Sequence, residues 1–315
     1  MLFISHWKHV VLLSRNLPLI PLQLKTLPSR ISYATTTIVS PTDRILHLPR
    51  RELFDVRQQL MAEDDDATLA DLEGSDIRTN VYEGGFKTWE CSLDLASLLL
   101  DRGPRKDIDE LCRVDSVVEL GAGSAMPSLV LFQHALQNDY PITFTLADYN
   151  ASVLRLVTLP NLLLTFARFK SDPAISGIGS DDLEVTADLT QLFLATLQEK
   201  GISLNFISGP WSAQLASLIP NSAPEMGTVI LAAETIYSPR STHDFVELII
   251  LILRRVKMAK AMVAAKRIYF GVGGSVDSLK EACAVKGAVA YEIENSGVSG
   301  MDAGVGRALV EVQMY

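Results

Sequence analysis

Two glycines near the middle of the chain have the spacing of a ligand-binding turn. Gly121 and Gly123 follow an apolar run, residues 114–120, and precede an apolar segment with helical spacing that continues to residue 132. A strand, a glycine turn and a helix start bring the backbone close to a nucleotide-like ligand, because glycine has no side chain to hold the ligand away. The turn alone indicates only a broad class of sites.

A second candidate for ligand chemistry is the polar end of the next predicted strand, residues 141–150. Asp148 and Asn150 lie where an α/β unit binds the two hydroxyls of a ribose. A carboxylate can accept hydrogen bonds from both hydroxyls at once. Asn150 could instead cap the following helix. The presence of both residues indicates two separate tasks.

The residues around the glycine turn favour a sulfonium cofactor over a dinucleotide. A dinucleotide fingerprint needs a small third residue, and Met126 occupies that position. Glu119, just before the turn, would repel a pyrophosphate. A nearby carboxylate would favour a ligand that carries a sulfonium and an amino group. The helix N-terminus could then hold the carboxylate of that ligand.

Strands and helices alternate through the middle of the chain, which predicts the elements that position these residues. The pattern is that of a doubly wound α/β fold, with a mostly parallel sheet and a C-terminal antiparallel hairpin. Right-handed crossovers place the carboxyl ends of all parallel strands on one rim. We expect helices at residues 51–61 and at 93–100 capped by Ser92, exposed loops at 63–66 and 171–182, and a long fifth strand at 261–274.

Composition excludes several classes of function. The chain has 315 residues, of which 48% are hydrophobic, so it can bury a sizeable core. Its net charge of -9 argues against direct nucleic-acid binding and favours a basic protein partner or a small cationic ligand. The cysteines (Cys91, Cys112 and Cys283) and the five histidines are scattered, which predicts neither a disulfide framework nor a metal site. The longest apolar run, residues 248–253, is too short to span a membrane.

The first 42 residues contain basic side chains and no acidic one before Asp43. Such a segment is typical of a mitochondrial transit peptide, although three prolines (Pro18, Pro21 and Pro28) disfavour a long amphipathic helix. A poorly ordered tail or a misassigned start codon is the alternative. We therefore separate residues 1–26 from the rest of the chain, and we expect a cytoplasmic and nuclear protein unless this segment directs it to mitochondria.

Sequence blocks on either side of the glycine turn narrow the range of families to which the chain could belong. The blocks YEGGFKTWEC (residues 82–91), ELGAG (119–123), LADYN (146–150), AETIY (233–237) and YFGVGG (269–274) stand in this order in the chain. In order and spacing they resemble the histidine protein methyltransferases, members of the lysine-methyltransferase-like family 16. The likeness runs from about residue 27 to the C-terminus. It implies a Rossmann-like, seven-strand, S-adenosylmethionine-dependent methyltransferase domain at 81–315, preceded by an N-terminal extension at 27–80 that packs on it.

The resemblance also implies which residues bind the cofactor and the substrate. The residues expected to hold S-adenosylmethionine are Lys87, Thr88, Trp89, Glu90, Cys91, Glu119, Gly121, Gly123, Asp148, Tyr149, Asn150, Gly209, Pro210, Trp211 and Ala233. Many relatives have serine in place of Ala233 and a polar residue in place of Pro210, so backbone contacts are expected at both. Tyr237 and Phe270 are expected to line the substrate cleft, and these two or Glu90 could orient the acceptor ring.

The implied reaction is methyl transfer to a histidine of a large-subunit ribosomal protein. Neutral imidazole is available at cellular pH, so positioning matters more than a strong base, and no catalytic residue is assigned. Two alternatives remain open. One is a lysine methyltransferase of the same wider family, and the other is a cofactor-binding scaffold without activity.

Overall fold

The computed structural model describes residues 11–12, 23–73, 85–101, 113–170, 181–293, 298, 301 and 304–315. Several predicted features lie outside these residues, namely Cys112, the loop at 171–180, and Tyr82 and Gly84 of the YEGG turn. The described strands, numbered in chain order, are β1 (Val11–Leu12), β2 (Arg30–Val39), β3 (Ile45–Arg51), β4 (Val114–Leu120), β5 (Ile142–Asp148), β6 (Asp182–Glu184), β7 (Ile202–Ser208), β8 (Gly227–Ala233), β9 (Ala259–Lys266), β10 (Ala288–Glu292) and β11 (Arg307–Met314).

The helices pack on both faces of the main sheet. In the described residues they are α1 (Leu53–Ala62), α2 (Asp66–Glu73), α3 (Glu90–Asp101), α4 (Met126–Asn138), α5 (Ala151–Val153), α6 (Leu159–Lys170), α7 (Ala187–Glu199), α8 (Ala213–Leu218), α9 (Pro239–Leu253) and α10 (Val276–Val285). A π-helical turn, Leu154–Thr158, joins α5 to α6 without a break.

The main sheet has the strand order β1-β7-β5-β4-β8-β9-β11-β10. The neighbours among β7, β5, β4, β8 and β9 are parallel, and β11 runs antiparallel to both β9 and β10. Helices cover both faces of the parallel strands, which explains why these strands are buried along nearly their whole length. The predicted seven-strand fold with an antiparallel C-terminal pair is confirmed, and β1 adds an edge strand that the sequence did not predict.

A second sheet, of order β3-β2-β6, lies outside the main one, and the sequence did not predict it. Its strand β2 pairs with β3 by a hairpin and with β6 near residue 183, far away in the chain. The predicted helix at 51–61 therefore begins two residues late, because Arg51 is the last residue of β3. Asp182, assigned to a loop, is the first residue of β6.

Three other boundaries differ from the prediction. Helix α3 begins at Glu90, so Ser92 lies within its first turn and is not its cap. The acidic stretch at 63–66 is not simply solvated, because Glu63 pairs with Arg155 at 3.0 Å and α2 begins at Asp66. Strand β9 ends at Lys266, and the chain then turns back through a bridge between Ile268 and Ser275. The glycines of the GVGG segment permit this reversal, because glycine readily adopts the backbone conformations that a tight turn requires.

The continuous helical segment from Ala151 to Lys170 is apolar and long enough, by composition alone, to cross a membrane. In the structure, 78% of its most apolar window is buried. Packing inside the protein therefore accounts for the apolar character of this segment.

Arg51 connects the second sheet to the core. Its guanidinium is fully buried and donates to Asp55 at 2.6 Å, to the side chain of Gln59 at 2.8 Å and to the carbonyl oxygen of Leu156 at 2.9 Å. Leu156 lies in the π-helical turn, where the register of helix hydrogen bonding changes. The backbone N–H of Arg51 donates to the side chain of Asn161 at 2.8 Å. Residues 45–62 are thus tied to the helix that supports the glycine turn.

We expect Arg51→Ala to lower the free energy of unfolding by about 3–5 kcal/mol, because it leaves a buried carboxylate without its partner. Chemical denaturation monitored by circular dichroism measures this change. The matched control is Arg30→Ala, which removes an exposed ion pair with Asp182 in the same small sheet. That variant should lose at most about 1 kcal/mol. Equal, small losses in both variants would contradict the structural role given to Arg51.

Candidate functional site

The glycine turn lies where β4, β5 and β7 end. The N–H groups of Gly121 and Ala122 both donate to the carbonyl oxygen of Ala147, at 2.8 and 2.9 Å. Gly121 has φ 71°, and a Cβ there would lie 3.0 Å from Thr235 Cγ2. Gly123 has φ 50°, and a Cβ there would lie 3.2 Å from the carbonyl oxygen of Gly85. Both positions therefore favour glycine for backbone conformation and for space.

The π-helical turn and α6 support this glycine turn from behind. Thr158 donates its hydroxyl to the carbonyl oxygen of Gly123 at 2.7 Å. Asn161 donates its side-chain amide to the carbonyl oxygen of Ser124 at 2.9 Å. Both side chains are buried. The position of the turn consequently depends on the same segment that Arg51 contacts.

Asp148 connects the ends of three strands. Its carboxylate accepts from the N–H of Gly123 at 3.0 Å and from the N–H of Asn150 at 3.0 Å. Its carbonyl oxygen accepts from the N–H of Gly209 at 3.0 Å. Burial raises the pKa of the Asp148 carboxyl to about 6, although the N–H groups around it oppose the shift. Asn150 is the residue before α5 but makes no side-chain cap, so the expected capping role is not seen.

Glu119 supports the start of the helix that follows the glycine turn. Its side chain is buried under the turn and accepts from the N–H of Ser128 at 3.0 Å, in the first turn of α4. The residue before this helix, Ala125, cannot provide a side-chain cap, so Glu119 satisfies one of the open N–H groups instead. Burial raises the pKa of Glu119 to about 8, which leaves it largely uncharged at neutral pH. A role for Glu119 toward the cofactor stays a prediction.

An open cleft with a cavity volume of about 160 Å³ lies on this rim of the sheet. It brings together ten of the residues singled out in the sequence: Lys87, Trp89, Gly121, Gly123, Asp148, Tyr149, Pro210, Trp211, Ala233 and Tyr237. These come from the loop before α3 and from the ends of β4, β5, β7 and β8. The predicted juxtaposition of distant sequence blocks is thus present in the structure.

The other seven candidates do not line the cleft. Glu119 and Cys91 are buried beneath it, and Glu90 is exposed and pairs with Arg307 at 3.4 Å. Thr88 accepts from Arg50 at 3.5 Å, on the side of the N-terminal hairpin. Phe270 is 75% exposed, follows the end of β9 and is not among the residues that line the cleft. Asn150 and Gly209 complete the set, and both adjoin Asp148 through backbone hydrogen bonds.

Glu234 is the cleft residue of greatest chemical interest that the sequence reasoning did not single out. It follows β8 directly and has φ 59°, a left-handed conformation that is costly for a residue with a side chain. Its side chain is 10% exposed, and Oε1 has no hydrogen-bond partner among the described residues. Lys266 Nζ lies 4.0 Å from that oxygen. A strained, buried carboxylate in a cleft is typical of a functional site.

The surroundings of Glu234 keep the neighbouring groups protonated. Burial, and then the Glu234 carboxylate, raise the pKa of the Cys91 thiol well above its ordinary value. The same two causes raise the pKa of the Tyr269 hydroxyl. Lys266 lies 5.2 Å from the centre of the Trp89 ring and 6.0 Å from that of Tyr269. Cys91 is therefore no thiolate nucleophile, and Glu234 is a cleft carboxylate that could accept a hydrogen bond from a substrate.

The pKa of Asp148 leads to a prediction about cofactor affinity. Ribose hydroxyls that donate to Asp148 would stabilise its charged form, so the pKa in the complex would fall below the value of about 6 in the free protein. Affinity should therefore rise with pH up to about 6 and level off above it, by at most about tenfold per pH unit. Calorimetric titration with S-adenosylhomocysteine at several pH values measures this dependence of affinity on pH, and Asp148→Asn should remove it. An unchanged pH dependence of affinity in that variant would exclude Asp148 as its source.

Comparison with known proteins identifies the relatives of the chain. It is 41% identical to "Histidine protein methyltransferase 1" of Saccharomyces cerevisiae over 255 residues, which are 73% of this chain and 66% of the relative. It is 40% identical to the protein of the same name in Schizosaccharomyces pombe over 260 residues, 80% of this chain and 72% of the relative. A Bos taurus homologue is 30% identical over 204 residues, 64% of this chain and 48% of the homologue. No family model matches the chain.

Solved structures show a more distant likeness. CalO1, a methyltransferase in calicheamicin biosynthesis in its SAH-bound form, has a TM-score of 0.41 at 11% identity, over 81% of this chain and 60% of CalO1. The DhpI–SAH complex has a TM-score of 0.36 at 12% identity, over 83% of this chain and 94% of DhpI. The fold assignment therefore depends on the strand order of the chain itself. The identity and coverage shared with the two yeast relatives place the chain in the histidine protein methyltransferase family.

Proposed function

We propose that this protein methyltransferase transfers a methyl group from S-adenosylmethionine to a ring nitrogen of a histidine in a protein of the large ribosomal subunit. The structural observation that supports the reaction is the Glu234 carboxylate, which lines the cleft and whose Oε1 accepts no hydrogen bond among the described residues, with Lys266 Nζ 4.0 Å away. Family membership supports histidine as the acceptor. The ribosomal target is the narrower part of the proposal, and the net charge of -9 favours a basic partner of that kind.

The cleft has the groups that such a cofactor requires. Asp148 would accept from the ribose hydroxyls, while Pro210 and Trp211 offer apolar surfaces for the adenine. Gly121 and Gly123 leave the space that side chains would fill. When bound, S-adenosylmethionine supplies an electrophilic methyl group on a sulfonium.

The residues of this chain position the acceptor imidazole. Neutral imidazole has one N–H and one nitrogen with a lone pair. If the N–H donates to Glu234, the other nitrogen is fixed as the nucleophile and its lone pair is directed into the cleft. Once that nitrogen carries the methyl group, the ring is cationic, and its N–H proton can leave to Glu234 or to solvent. Tyr237 lines the same end of the cleft and can pack against the ring.

A transfer assay with labelled cofactor tests the substrate. The protein is incubated with radiolabelled S-adenosylmethionine and with proteins dissociated from large ribosomal subunits, and the labelled band is identified by mass spectrometry. Label on a histidine of one ribosomal protein supports the proposal. Label on lysine would indicate a lysine methyltransferase, and cofactor binding without transfer would indicate a non-catalytic scaffold. Label confined to proteins outside the ribosome would refute the ribosomal target alone.

A further inference from the structure

The chain forms a tight turn, residues 267–275, directly after β9. Ile268 and Ser275 form a bridge across the turn. The N–H of Tyr269 donates to the carbonyl oxygen of Gly274 at 2.9 Å, and the N–H of Gly273 donates to that of Tyr269 at 2.9 Å. Gly271 and Gly273 have φ values of 78° and 91°, which only glycine adopts readily. The turn is thus held together by its own hydrogen bonds.

This turn is seated on the wall of the cleft. The N–H of Gly274 donates to the carbonyl oxygen of Tyr237 at 3.1 Å, and a Cβ at Gly274 would lie 2.0 Å from the carbonyl oxygen of Ile236. At Gly273 a Cβ would lie 3.6 Å from Pro239. Tyr269 is buried, and its hydroxyl lies near Glu234. The turn therefore adjoins the end of the cleft that contains Glu234 and Tyr237.

Three apolar side chains on this turn face solvent. Ile268 is 51% exposed, Phe270 75% and Val272 49%. We call these three residues the apolar ridge. Single exposed apolar residues are common on protein surfaces, but a cluster on an ordered turn beside a cleft is typical of an interaction site. Aromatic residues, phenylalanine among them, are enriched in protein interfaces.

Arg267, the residue before the ridge, is already paired. Arg267 pairs with Glu292 at 2.7 Å, and Lys280 pairs with the same carboxylate at 2.6 Å. Contact at the ridge would therefore be apolar and only weakly sensitive to salt. The turn that carries the ridge contacts the cleft residue Tyr237 through the Gly274 N–H, so a protein whose histidine enters the cleft would lie close to the ridge.

We propose that the apolar ridge docks the folded protein substrate, by contact with an apolar patch beside the acceptor histidine. This inference rests on the proposed function, since it assigns the ridge to the protein that is methylated. It makes recognition depend on the folded surface around the histidine, so the ridge would select the substrate and the cleft would perform the transfer.

Steady-state kinetics with large-subunit ribosomal proteins as the acceptor test the proposal. Phe270→Ser, alone and with Val272→Ser, should raise KM for the protein by about tenfold or more, while kcat stays within about threefold. Phe270→Leu, which keeps the apolar surface, should recover most of the lost affinity. The matched control is Phe54→Ser, which alters an aromatic that is 54% exposed on α1 and does not line the cleft. Calorimetry with S-adenosylhomocysteine should show the same cofactor affinity in all variants.

The outcomes separate the docking role from the proposed function. If the wild type transfers methyl groups and the serine variants keep KM within about twofold, the docking role is wrong and the function stands. If the wild type transfers none, the function fails and the docking role fails with it. A dimer of the wild type that Phe270→Ser dissociates in sedimentation analysis would assign the ridge to a second copy of the chain and overturn the proposal.

Discussion

Replacing Glu234 by alanine is expected to reduce kcat by about a hundredfold or more, with cofactor affinity unchanged within about twofold. The carboxylate orients the acceptor ring and can take its proton, and none of the contacts proposed for the cofactor involves it. Glu234→Gln separates these two tasks. If orientation dominates, the amide oxygen of glutamine restores part of the rate, whereas a need for proton acceptance would make both variants equally slow.

Two controls accompany the Glu234 variants. Asp244→Asn alters another carboxylate of the cleft, but one whose side chain is 43% exposed and pairs with Arg240 at 3.8 Å, so kcat should change by less than about fivefold. Thermal unfolding of Glu234→Ala shows whether the variant stays folded, since the substitution also removes the ion-pair partner of Lys266 at 4.0 Å. Activity of Glu234→Ala within about threefold of the wild type would refute the role of Glu234.

Gly121→Arg is expected to abolish cofactor binding. The residue has φ 71°, and its Cβ would already lie 3.0 Å from Thr235 Cγ2, so the longer side chain must displace the turn or enter the cleft. Calorimetric titration with S-adenosylhomocysteine should detect no binding at concentrations about a hundredfold above the wild-type Kd. Wild-type affinity in the variant would refute the assignment of the site.

The matched control for Gly121→Arg is Gly287→Arg. Gly287 has nearly the same backbone conformation, with φ 76°, but a Cβ there would meet nothing within 4 Å among the described residues, and the residue does not line the cleft. Both variants carry a similar conformational strain, while only one fills the site. The control should therefore lose some stability and keep its cofactor affinity. Circular dichroism of both variants shows whether each remains folded.

The centre of the site could be predicted because its signals are local. Gly121, Gly123 and Asp148 each stand at the end of an apolar run, and the fold brings the carboxyl ends of neighbouring parallel strands together. The direction in which the Glu119 side chain points could not be predicted from the sequence. An acidic residue before the turn is visible in the sequence, but whether it faces the ligand or the helix depends on which side of the sheet it occupies.

Features that depend on contacts between residues far apart in the chain could not be predicted in this way. Glu234 is an ordinary acidic residue in the sequence, and its left-handed backbone and its burial beside Cys91 and Tyr269 arise only when β8, β9 and α3 are assembled. Arg51 is similar, because its partners lie at Asp55 and more than a hundred residues away at Leu156. The sequence predicts Phe270 within the fifth strand, whereas in the structure β9 ends at Lys266 and the chain reverses at the glycines that follow.

The identity of the methylated side chain tests the central claim most directly. The protein is incubated with methyl-deuterated S-adenosylmethionine and large-subunit ribosomal proteins, the products are hydrolysed in acid, and their amino acids are analysed by mass spectrometry. The structure and the family predict deuterated methylhistidine, formed by the wild type and strongly reduced with Glu234→Ala. Deuterated methyllysine, or methylhistidine formed equally by both proteins, would contradict the account.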